Sequence, residues 1–124
     1  MSDKFDGLPE QRRRGLETME KVYGFDMSDG EGDFFGYTVD HLFGDIWNRP
    51  GLSDRDRRLL LIGMLSASGQ ADVLGIQIPA AYSRGELDDE QLREIVIFAS
   101  HYVGWPMGAR LNTLVEETIR KGRD

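Results

Sequence analysis

The stretch AAYSRGELDDEQLREIVIFASHYVGWPMGA, Ala80 to Ala109, contains one helix end, one complete helix and one helix start. Gly85 stops the first of these, because glycine tolerates the left-handed conformation in which helices end. Asp88, followed three residues later by Gln91, forms an approximate capping box and starts a helix over Glu90–Val103. Trp105-Pro106 makes a rigid corner, and Pro106 opens a last helix with Leu111, Leu114, Val115 and Ile119 on one stripe. Three consecutive helical signals with no strand alternation set the fold class as all-α.

The same periodicity extends upstream. Pro9 suits the first turn of a helix running to about Tyr23, with Leu16, Met19, Val22 and Tyr23 on one face and Gly24 as the stop. The acidic, glycine-rich FDMSDGEGD reads as a loop. A second helix is expected from Phe34 to about Trp47, closed by Arg49-Pro50-Gly51. Ser53 is a good N-cap for a third helix carrying RRLLLIGMLSAS to Gly69. A fourth runs from about Gln70 to Arg84, with Pro79 kinking it or starting a new segment. About six helices in one domain, residues 1–124, is the expectation. Helices three and five are apolar over most of their circumference, which predicts burial against other subunits.

Composition narrows the chemistry. The chain has 124 residues, no cysteine, two histidines and a formal net charge of −7. Without cysteine there is no disulfide, thiolate metal site or thiol nucleophile. Two histidines without close His–Glu–His spacing argue against a dedicated zinc site. The negative charge disfavours a nucleic-acid partner, and Arg12-Arg13-Arg14 is diluted by Glu10, Glu17 and Glu20 into a solvated helix face. No apolar run reaches the ~20 residues of a membrane span. MSDKFDGLPEQRRR has no apolar core to serve as a secretory signal, so a cytoplasmic location is expected.

Within HLFGDIWNRPGL, His41 to Leu52, the residues Tyr37, His41 and Asp45 follow an i, i+4, i+8 spacing that places them along one helix face. A carboxylate one turn from an imidazole can orient it, and such a histidine can act as general acid or base; a plain surface pair fits the spacing equally. His101 lies among apolar residues, one turn from Trp105, as a pocket wall or as a core histidine in a helix-breaking turn. Arg58, nearest the apolar run of helix three, is the preferred anion-binding arginine. Phosphate-loop and nucleophile-elbow signatures are absent.

HLFGDIWNRPGLSDRDRRLLLIGML and the Ala80–Ala109 stretch resemble the carboxymuconolactone decarboxylase family, the all-helical group with the AhpD-like fold. His-x-x-Gly-Asp-Ile-Trp before Arg-Pro-Gly-Leu resembles the decarboxylase branch. The Tyr-x-Gly-x-Pro corner is similar to the wider family. The peroxidase branch uses a Cys-x-x-Cys pair, so thiol peroxidase activity is excluded here. The decarboxylase branch usually carries a glutamate and, four residues on, a histidine where this chain has Val73 and Gln77. Gln77 hydrogen-bonds but does not exchange a proton at neutral pH.

The resemblance implies a homotrimer or homohexamer and a cofactor-free decarboxylation of a small carboxylated lactone or related acidic ring compound. In that reading His41, oriented by Asp45, supplies a proton, with His101 as a further catalytic candidate. Arg58 binds a spectator carboxylate, and Tyr37, Gln77 and Trp105 shape the substrate pocket. Two alternatives stay open: an isomerisation or ring closure on the same scaffold, and a non-catalytic helical oligomer that binds a ligand.

Overall fold

The computed structural model describes residues 4–123; Met1 to Asp3 of the N-terminal stretch and Asp124 of the charged tail lie outside them. The chain divides into two compact units, Met1–Ser53 and Asp54–Asp124. Every element among the described residues is helical. None is long and apolar enough to cross a membrane.

In the first unit α1 (Glu10–Tyr23) starts directly after Pro9 and ends at Gly24, whose φ of 81° is the left-handed stop. Leu16, Met19 and Val22 bury one stripe of α1, together with Phe5, Val39, Phe43 and Trp47. Phe43 meets the Tyr23 ring edge-on at 5.4 Å and stacks on Trp47 at 6.2 Å.

The second expected helix departs from its simple form. It begins as α2 (Asp33–Gly36), widens into a π-helix over Tyr37–Phe43, breaks at Gly44, and ends in a 3₁₀ turn, Ile46–Asn48. Local contacts and one distant in sequence accompany the break. The Gly44 N–H donates five residues back to the Val39 carbonyl at 2.8 Å. Arg14 Nε donates to the Gly44 carbonyl at 2.9 Å, and Asn48 Nδ2 donates to the Phe43 carbonyl at 2.6 Å. These donors satisfy carbonyls that a continuing α-helix would have used itself.

In the second unit α3 (Asp54–Ala67), α4 (Ala71–Ser83), α5 (Asp89–Val103) and α6 (Trp105–Arg123) follow the sequence expectation to within a few residues. The capping box is complete: Asp88 accepts from the Gln91 N–H, and Gln91 accepts from the Asp88 N–H. Helix α4 runs through Pro79, which leaves the Gly75 carbonyl without its helical donor. Ile62, Leu74, Ile78, Leu92, Leu111 and Ile119 are among the side chains closing the core. Leu60, Met64, Ile97, Phe98 and Tyr102 of α3 and α5 remain exposed in the single chain.

Candidate functional site

The first unit holds a cleft of about 530 Å³, within the size range of small-molecule sites. Arg12 from α1 and Tyr37, Asp40 and His41 from the π-helical segment line it, with Gly32 and Gly36 at its rim. Local departures from regular helix often mark functional positions, and here the wider turn carries three of the polar lining residues. His41 Nδ1 lies 4.0 Å from Asp45 Oδ2, both side chains at least half exposed. The Asp45 N–H donates to the His41 carbonyl at 3.0 Å, so the backbone also ties the two together. Of the residues expected from sequence, the cleft gathers Tyr37 and His41, with Asp45 beside the imidazole.

Arg12 is the fixed cation of this cleft. Its Nε and Nη2 donate to the two Asp40 carboxylate oxygens at 2.7 and 3.1 Å, and Nη1 donates to Asp29 Oδ1 at 2.7 Å. The Phe35 ring lies 5.7 Å from the guanidinium carbon. Asp40 and Asp29 push the Arg12 pKa upward, and the Arg12 hydrogen bond holds the Asp29 carboxyl below the usual carboxylate range. Sequence reasoning placed Arg12 on a solvated face, and the structure corrects this. Arg13 does pair locally, with Glu10 and Glu17 on its own helix. Arg12 instead reaches residues 17 and 28 positions away, which no helical spacing reveals.

The second unit buries a separate polar cluster. Arg58, 1% exposed, donates from Nε to Glu86 Oε1 at 2.8 Å and from Nη1 to Gln77 Oε1 at 2.6 Å. Arg84 Nε adds a bond to Glu86 Oε2 at 2.8 Å, and Arg55 Nε donates to the Glu86 carbonyl at 3.0 Å. Burial pushes the Glu86 carboxyl up, but the Arg58 and Arg84 hydrogen bonds outweigh it and hold the group below its ordinary value. The anion that Arg58 holds in the folded chain is thus Glu86, a partner 28 residues on that no local spacing marks. Val73, one turn before Gln77, is partly exposed.

His101 is exposed, its Nδ1 2.7 Å from the Ile97 carbonyl, and its ring meets the Trp105 ring edge-on at 5.5 Å. An apolar groove of about 610 Å³ lies nearby, lined by Leu59, Ile62, Ile95, Phe98 and Tyr102 among others. Neither His101 nor Trp105 is among its lining residues. Among the described residues no group of three or more histidines and carboxylates is placed to hold a metal ion.

Comparison with known proteins gives this geometry a context. The chain is 31% identical over 120 residues to 4-carboxymuconolactone decarboxylase of Acinetobacter baylyi, covering 90% of this chain and 89% of that protein. It is 30% identical over 77 residues to nitrosuccinic acid decarboxylase of Metarhizium robertsii, covering 62% of this chain and 53% of that protein. The sequence pattern of the carboxymuconolactone decarboxylase family matches residues 32–116, from the rim of the cleft through most of α6. With more than half of its length matched and no cysteine for the peroxidase chemistry, the chain belongs to the carboxymuconolactone decarboxylase family.

Proposed function

We propose that this protein is a cofactor-independent decarboxylase of a small carboxylated lactone or related acidic ring compound, working in the cleft of the first unit. The observation that carries the reading is the shared lining of that cleft by Tyr37 and His41, with Asp45 against the imidazole. Two decarboxylases among the similar proteins support the reaction class.

In this reading the bond between a ring carbon and its carboxylate breaks. The electron pair passes into the conjugated lactone carbonyl, and CO₂ leaves. The Tyr37 hydroxyl donates a hydrogen bond to the oxygen that gathers charge. His41, as general acid, then delivers a proton to carbon, and a proton taken up from solvent restores it. Asp45, on the Nδ1 side, leaves Nε2 as the delivering nitrogen. General acid catalysis of this kind contributes about 10²–10⁴ in rate.

His41→Ala is expected to lower turnover of a carboxylated lactone by at least about a hundredfold while the helical content stays unchanged. Turnover is followed as CO₂ release. An undiminished rate removes His41 from the mechanism. A second reading, isomerisation or ring closure, is favoured by Gln77, a buried amide tied to Arg58 where the resemblance implies a histidine. Loss of substrate without CO₂ selects it.

The proposal includes assembly as a homotrimer or homohexamer. The exposed apolar side chains of α3 and α5 support it, because monomers rarely leave large apolar patches in water.

A further inference from the structure

The five N–H donors of Arg12 are unequally used. The edge formed by Nε and Nη2 is closed by the Asp40 carboxylate in a two-point fork. The outer edge, Nη1 and Nη2, is held at one point only: Nη1 donates to Asp29 at 2.7 Å, with a longer contact to the Gly30 carbonyl at 3.4 Å. Among the described residues no acceptor meets the second Nη2 hydrogen. Arg12 lines the cleft of about 530 Å³, so a ligand in that cleft can approach the guanidinium. Asp29 belongs to the acidic, glycine-rich loop and its side chain is 37% exposed, so it can leave without uncovering the core.

We propose that Asp29 occupies the place of a ligand carboxylate, and that a small dicarboxylic acid displaces it to take the outer edge of Arg12 through two parallel hydrogen bonds. A one-point contact is then exchanged for a two-point contact of the same charge, a favourable trade for a guanidinium. Asp40 keeps the inner edge and Phe35 stays against the guanidinium, so the cation does not move when the loop carboxylate departs. Arg12 and His41 line the same cleft, so a ligand anchored on Arg12 shares that space with the imidazole, and Arg12 acts as a positioning residue. The identification of this ligand as the substrate rests on the decarboxylase reading; the carboxylate site itself does not.

The test is calorimetric titration of the full chain with sodium succinate at low ionic strength, without turnover. Asp29→Ala vacates the outer edge and is expected to tighten succinate binding about tenfold. Asp26→Ala removes the same charge from the same loop, at a side chain 97% exposed and without a bond to Arg12, and is expected to leave binding unchanged. Arg12→Lys keeps the charge but loses the fork, and is expected to weaken binding at least about tenfold. Equal tightening by both loop variants, no tightening by Asp29→Ala, or wild-type binding by Arg12→Lys overturns the proposal. Tightening confined to Asp29→Ala upholds the site even where CO₂ release fails, which separates it from the decarboxylase reading.

Discussion

Gly15→Ala tests the packing that builds the cleft. A Cβ on Gly15 would stand 2.0 Å from the Val39 carbonyl oxygen and 2.8 Å from the Val39 carbonyl carbon. Both are backbone atoms of the π-helical segment, so no side-chain rotation relieves the clash. Reaching the 3.0 Å that real Cβ atoms observe requires α1 and that segment to part by about 1 Å. The same seam carries the Gln11 bond to the Asp40 carbonyl at 2.7 Å and the Arg14 bond to the Gly44 carbonyl at 2.9 Å. Stretched by about 1 Å, neither remains a hydrogen bond. Overpacking costs about 1–3 kcal/mol and the two lost bonds about 1 kcal/mol each, while alanine returns about 1 kcal/mol of helix propensity. The expected net loss is about 2–4 kcal/mol.

Urea unfolding followed by Trp47 fluorescence in a Trp105→Phe background reads this loss, because Trp47 is buried within the first unit. Gly36→Ala is the comparison. It sits at φ −59°, ψ −47° and meets only Arg12 Nη2 at 3.6 Å, so it is expected to be neutral or slightly stabilising. A Gly15→Ala protein as stable as the wild type refutes the close-approach argument.

Two further predictions concern the second unit. The Glu86 carboxyl is held below its ordinary value, so its contribution is complete above about pH 4.3 and is lost as pH falls through the lower folded value. Glu86→Gln leaves the buried Arg58 without its counter-ion and is expected to cost about 3–5 kcal/mol at about pH 7, with the gap to wild type narrowing in acid. Urea midpoints across that range check it, and a gap independent of pH contradicts the ion pair's role. Phe98, 67% exposed in the single chain, is expected to pack against another copy. Sedimentation of the wild type should then give three or six times 14.1 kDa, and Phe98→Glu should lower that mass. A monomeric wild type sinks the assembly proposal.

Local signals in the chain were sufficient for most helix limits. Pro9, Gly24, Asp88 with Gln91, and Gly85 act on backbone groups a few residues away, so their effects are legible without a fold. The widening at Tyr37–Phe43 was not legible, because Arg14, thirty positions before Gly44, helps satisfy the carbonyl at that break. The His41–Asp45 pairing is a local spacing and is seen in the structure at 4.0 Å. The partners of the two important arginines are not local. Arg13 finds its acids on its own helix, whereas Arg12 finds Asp40 and Arg58 finds Glu86, each 28 residues on.

By itself, then, the sequence determined an all-helical chain of this family, most of the helix limits, and the exclusion of thiol chemistry by the lack of cysteine. Tertiary structure alone decided which arginine faces a cleft, which is buried as a counter-ion, and where the second helix widens. Periodicity reports which face of a helix is apolar. A guanidinium's partner depends on which distant segment the packing brings within about 3 Å, the reach of a hydrogen bond.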